Sequence, residues 1–136
     1  RPNLLIKVPA TTAGLDAIER LIGAGVSVNV TLMFSLAHCE AVAEAYLRGL
    51  QRLQAAGGDV SKVMSVASLF LSRVDTLVDK LLEERGGDLL ALRGRTAVAM
   101  ARLAYEAYLE RFHGAGFEGL AAACARTQYM LWAPKP

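Results

Sequence analysis

This sequence is poor in the residues that mark several common functional classes. It has two cysteines, Cys39 and Cys124, far apart and in no CxxC pair, and two histidines, His38 and His113, equally isolated. That leaves no spacing for a structural zinc site and no disulfide framework. The cysteines are expected to be buried free thiols in a reducing compartment, and no metal site is expected. Lysine plus arginine (15) barely exceeds aspartate plus glutamate (13), and the basic residues are scattered. No basic run or basic-aromatic patch argues for nucleic acid. No apolar run approaches the roughly 20 residues of a membrane helix, and no signal peptide is recognisable. Neither GxGxxG nor GxxxxGK[ST] follows any apolar run, so a nucleotide-binding loop has no support.

What the sequence has is apolar substance. Hydrophobic residues make up 54% of the 136 and charged residues only 21%. Such a chain fits one domain whose elements are covered on more than one side. The most informative stretch is Leu4-Leu5-Ile6-Lys7-Val8-Pro9-Ala10-Thr11. It reads as a buried parallel strand, and a lysine inside such a strand either snorkels to an edge or faces a polar interior.

The rest alternates. Thr11 and Thr12 offer an N-cap with Asp16 in the first turn. Leu15, Ile18, Leu21 and Ile22 give helical spacing up to Gly23 and Gly25. Val26–Phe34 reads as a second strand, with Val28, Val30 and Leu32 on one face and Ser27, Asn29 and Thr31 on the other. Ser35 caps a helix over Leu36–Ala56. Val63–Phe70 is a third strand, with Val66, Ser68 and Phe70 on one face. A helix over Ser72–Glu84 shows Val74, Leu77, Val78, Leu81 and Leu82 at i, i+3, i+4, i+7, i+8. Residues 88–94 read as a connector, Thr96–Phe112 and Glu118–Ala125 as helices, and Thr127–Trp132 as a last strand. Strands alternating with helices predict an α/β fold with a parallel sheet, either doubly wound or part of a (β/α)8 barrel.

In a barrel the C-terminal strand ends share one site, which would gather Lys7, Asn29, Thr31, Ser68, Phe70 and Arg73. Taken singly, each has a plainer reading: an edge lysine, an exposed polar strand face, a small packing residue, a core ring, a solvated first-turn arginine. Their order and spacing carry more. The segments Leu5-Ile6-Lys7-Val8-Pro9-Ala10-Thr11, Val28-Asn29-Val30-Thr31-Leu32-Met33-Phe34-Ser35 and Ala67-Ser68-Leu69-Phe70-Leu71-Ser72-Arg73-Val74-Asp75 resemble, in that order, the motifs of the transaldolase family, and the likeness covers nearly the whole chain. It is closest in character to the longer bacterial transaldolases rather than the compact fructose 6-phosphate aldolases.

The resemblance implies a (β/α)8 TIM barrel, of which residues 1–136 would be the central part of a single domain, strands four to seven. It implies Schiff-base chemistry with no cofactor and no metal. Lys7 would form the imine and Thr31 would hold the catalytic water. Asn29 would bind the dihydroxyacetone unit, Ser68 and Arg73 the substrate phosphate, and Phe70 the pocket wall. Only a neutral amine attacks a carbonyl, and a low-dielectric surrounding favours that form. The reaction implied moves a dihydroxyacetone unit from sedoheptulose 7-phosphate or fructose 6-phosphate to glyceraldehyde 3-phosphate or erythrose 4-phosphate, in the cytoplasmic pentose phosphate pathway. Partners implied are sugar phosphates, with no nucleic acid or membrane; a homo-oligomer and fusion to an isomerase stay open. An aldolase that releases the unit to water, or a non-catalytic scaffold, are the alternatives.

Some features depart from the pattern. The family's catalytic aspartate and glutamate, on its first and third strands, would precede Arg1, and a basic loop would follow Pro136. Leu69 and Ser72 stand where many relatives carry proline and glycine. The chain is therefore expected to be about the central half of such an enzyme, marginal alone, inclined to self-associate, and weak or inactive.

Overall fold

The computed structural model describes residues 3–133. Strand β1 (Ile6–Pro9) leads into helix α1 (Thr12–Gly23), β2 (Val28–Met33), α2 (Leu36–Ala55), a 3-10 turn (Val60–Lys62) and β3 (Ser65–Phe70). Then come α3 (Leu71–Arg85), a 3-10 segment (Gly87–Leu92), α4 (Thr96–Phe112), a 3-10 turn (Ala115–Phe117), α5 (Glu118–Ala122) and β4 (Tyr129–Ala133). The stretch expected as a connector at 88–94 is thus mostly 3-10 helix.

All neighbouring strands are parallel and lie in the order β1-β2-β3-β4. A doubly wound sheet reverses its order at a switch point and carries helices on both faces. Here the order is sequential, and the helix-packed strand residues, Val8, Val28, Val30, Met33, Ala67 and Leu69, share one face. This is the arrangement of successive βα units in a barrel. The opposite face carries Lys7, Pro9, Asn29, Thr31, Val66, Ser68, Phe70, Tyr129 and Leu131. Among the described residues, β1 and β4 are the sheet edges.

The helix-side core is densest between α1 and α2. On these two helices Ile18, Ile22, Val42, Tyr46 and Leu50 are fully buried. Each such side chain contributes roughly 1.5–3 kcal/mol by leaving water. The two helices approach closely because residue 49 is glycine: a Cβ there would stand 2.6 Å from the Cβ of Ile22. Glu19 clamps the pair from the rim, accepting from Arg48 Nε at 2.7 Å and Arg52 Nη1 at 2.9 Å. Those two arginines hold its carboxyl below the usual carboxylate range.

Four expectations need correction. The cap of α1 is Thr11, whose hydroxyl accepts from the Gly14 amide, so Asp16 falls beyond the first turn. Lys7, which the apolar run starting before it reads as late in its strand, is the second residue of β1, because β1 begins only at Ile6. The alternation of β2 breaks before its end: Leu32 adopts φ 61° at an irregularity between Val30 and Met33. A bulge of this kind inserts one residue and reverses the faces after it. Met33 therefore takes the buried position expected of Leu32, which is 43% exposed. Finally, Cys39 is buried but Cys124 is exposed. Burial, aided by Glu40, pushes the Cys39 thiol up to about 11.

Candidate active site

The site begins with one row across the sheet. Lys7 on β1 stands in register with Asn29 on β2, and Asn29 with Val66 on β3. In-register residues of parallel strands point to the same side, so the lysine and the amide are neighbours on the helix-free face. Lys7 is exposed there. Asn29 is half-buried, and its Oδ1 is buried without accepting a hydrogen bond. An orphan acceptor costs on the order of 1–3 kcal/mol, and such atoms in a native fold call for an explanation.

The next row towards the C-terminal strand ends holds Thr31, in register with Pro9, and Ser68, in register with Leu131. Thr31 is one of the few buried polar residues, and its carbonyl accepts from the Ala10 amide at 2.9 Å. Ser68 is half-buried. The bulge at Leu32 comes directly after Thr31. A non-glycine residue at positive φ stores strain of about 1–2 kcal/mol, and its effect here is to end the regular ladder beside the candidate site.

Phe70 ends β3 and serves as the N-cap position of α3 without a side-chain cap bond. Its ring lies 5.4 Å from that of Phe34, with the planes at 33°. Arg73, in the first turn of α3, places its guanidinium 5.4 Å from the centroid of the Phe70 ring. Arg73 is exposed and, among the described residues, forms no ion pair. A free guanidinium beside a helix N-terminus is suited to an anion. The six residues singled out from sequence thus lie on one face or at one end of it. Phe34 and His38 were not singled out. Their only sequence signal is Ser35-x-x-His38, which has the spacing of a capping box with histidine in the acceptor place.

None of the four strands carries a carboxylate. The face therefore presents one amine, an amide, three hydroxyls (Thr31, Ser68 and Tyr129) and a guanidinium at its rim. These can form and hold a carbonyl adduct, but no aspartate or glutamate of these strands can move its protons.

A family model described as transaldolase/fructose-6-phosphate aldolase matches residues 1–133. The chain belongs to this family. It is 57% identical over 134 residues to a transaldolase of Thiobacillus denitrificans, the match covering 98% of this chain and 37% of that protein. It is likewise 57% identical over 134 residues to transaldolase 1 of Streptomyces coelicolor, covering 98% and 35%. A transaldolase of Mycolicibacterium paratuberculosis is 56% identical over 135 residues, covering 98% and 36%. The chain spans little more than a third of the length of these curated relatives, a smaller share than the half expected from counting strands. The family's (β/α)8 barrel agrees with the four parallel, sequentially ordered strands seen here. Among the described residues no helix is long and apolar enough to cross a membrane.

Proposed function

We propose that this chain supplies the Schiff-base half of a transaldolase. The observation that carries this reading is the register of Lys7 with Asn29, whose buried Oδ1 has no partner. Lys7 Nζ attacks the carbonyl carbon of a ketose phosphate such as fructose 6-phosphate or sedoheptulose 7-phosphate, and loss of water leaves a protonated imine. That imine accepts the electron pair of the breaking C3–C4 bond. The aldose phosphate departs, and the three-carbon enamine stays on Lys7. It then adds to the aldehyde carbon of an acceptor, glyceraldehyde 3-phosphate or erythrose 4-phosphate.

Asn29 hydrogen-bonds a hydroxyl of the dihydroxyacetone unit through its side-chain amide. Thr31 holds the water through which protons pass. Ser68 and Arg73 take the substrate phosphate, and Phe70 closes the wall beside the imine. The carboxylates that exchange protons with that water are not supplied by these four strands. The setting is the pentose phosphate pathway in the cytoplasm, on the strength of the relatives' name and the Schiff-base geometry.

Transfer and simple release diverge once the C3–C4 bond is cleaved. A hybrid in which this chain replaces the matching segment of the Thiobacillus denitrificans transaldolase is mixed with fructose 6-phosphate alone, and free glyceraldehyde 3-phosphate is measured. A transferase gives at most one equivalent per chain and resumes when erythrose 4-phosphate is added. Continuous release without acceptor would make it an aldolase that hands the unit to water. Product formation that survives in Lys7→Arg would remove Lys7 from the chemistry altogether.

A further inference from the structure

Phe34 lies in the gap between β2 and α2, after Met33 has ended the ladder and before Ser35 caps the helix. Its peptide N–H belongs to neither element. It donates instead to Nδ1 of His38, at 3.1 Å. His38 is itself fixed, because its own backbone amide donates to Ser35 Oγ at 3.2 Å. An acceptor Nδ1 places the proton of the neutral imidazole on Nε2. In a capping box the third helical residue bonds back to the N-cap amide. Here the bond reaches one residue further back, to a residue whose side chain is an aromatic ring directed at the candidate site.

From that ring the contacts run on. Phe34 packs on Phe70, and Phe70 carries the guanidinium of Arg73 on its face. Phe70 has no side-chain cap bond of its own, and Arg73 has no ion pair among the described residues. The Phe70 ring, itself packed on Phe34, is therefore the contact that seats the arginine.

We propose that His38 is a positioning residue for phosphate recognition: by fixing Phe34 it holds the Phe34–Phe70 stack, and through that stack the Arg73 guanidinium. It acts through α2, a helix that contributes none of the residues assigned to the substrate. The inference rests on the reading of Arg73 as a phosphate ligand, and its test separates the two.

Borohydride trapping at Lys7 is measured against ketose concentration with two probes, fructose 6-phosphate and dihydroxyacetone, which has the carbonyl without the phosphate. His38→Ala raises the half-saturating fructose 6-phosphate concentration about three- to ten-fold, the size of one hydrogen bond or one exposed cation–π contact. The plateau yield and the dihydroxyacetone curve stay unchanged. His38→Gln, which restores a capping-box acceptor, brings the value back to within about two-fold. A His38→Ala curve identical to the parent, or an equal shift with dihydroxyacetone, overturns the proposal.

Arg73→Ala identifies which reading has failed. If it shifts the fructose 6-phosphate curve while His38→Ala does not, only the role of His38 falls. If Arg73→Ala shifts nothing, the phosphate role of Arg73 falls and the His38 proposal with it. Should His38→Ala fail to fold, amide exchange at Phe34 in the unsubstituted chain decides. Slowed exchange supports the proposal, and free exchange of that amide overturns it.

Discussion

Helices α1 and α2 on one side and α3 on the other have equally regular apolar stripes and very different fates. On α1 and α2, Ile18, Ile22, Val42, Tyr46 and Leu50 are fully buried. In α3 no residue is buried, and Leu77 on its stripe is 61% exposed. Periodicity shows which face of a helix is apolar; a neighbour must exist to cover it. α1 and α2 cover each other because Gly49 lets their backbones approach. α3 meets mainly α4: the Ala97 amide in the first turn of α4 donates to Asp75, and the Gly94 amide just before α4 donates to Asp79. Those two bonds lie at one end of the contact, and Leu77 and Leu81 stay exposed.

The contrast can be broken most severely at Tyr46. Its side chain is fully buried, its ring meets Phe112 at 6.1 Å, and its hydroxyl donates to the Arg126 carbonyl at 2.9 Å. Tyr46→Ala removes both and is expected to cost about 3–5 kcal/mol, read from the urea midpoint. A loss below about 1 kcal/mol would mean that this core is not the stabilising one. Gly49→Ala forces a methyl group against Ile22 and the Glu19 carbonyl, and should cost about 1–3 kcal/mol. If the two helices can slide apart freely, the cost vanishes.

The thiol of Cys39 sharpens the comparison through pH. Its folded pKa is raised to about 11 from an ordinary 9.0, so the fold favours the neutral form. Its contribution is full below pH 9.0 and is lost as pH climbs from there towards about 11. With partial solvent screening that loss is about 1–2 kcal/mol. Burial pushes Tyr46 in the same direction, and its loss begins above the usual tyrosine value, 10.0. Denaturation midpoints that stay flat between pH 9 and 11 would contradict both. In iodoacetamide labelling at neutral pH, exposed Cys124 should react at least about ten-fold faster than Cys39, whose burial both shields the sulfur and disfavours its thiolate. At the small end stands Leu77→Ala, expected within about 0.5 kcal/mol because the side chain is already in water. A loss comparable to that at Gly49 would show that α3 is covered after all.

The element order was legible because each strand and helix repeats its own period. β2 was legible only as far as Thr31. The bulge at Leu32 arises from backbone geometry rather than from residue type, so the faces of Leu32 and Met33 could not be read from the alternation. Cys124 read as buried because free cysteines usually are, yet it lies just beyond α5 at φ 62° with little packed on it. For the site, motif order was enough to group Lys7, Asn29, Thr31, Ser68, Phe70 and Arg73. Their spacing could not show that Lys7 and Asn29 share a register or that Asn29 Oδ1 lacks a partner. Nor could it show that Arg73 sits on Phe70, because these are distances between strands and between side chains.

Everything proposed for the helix-free face depends on Lys7 being the amine that reacts. The chain has four lysines, Lys7, Lys62, Lys80 and Lys135. The direct measurement is reduction with borohydride in the presence of fructose 6-phosphate, with peptide mapping of the adduct. The account predicts a single stable adduct on Lys7, reduced in yield by Asn29→Ala and absent in Lys7→Arg. An adduct spread evenly over all four lysines, or none on Lys7, would contradict it.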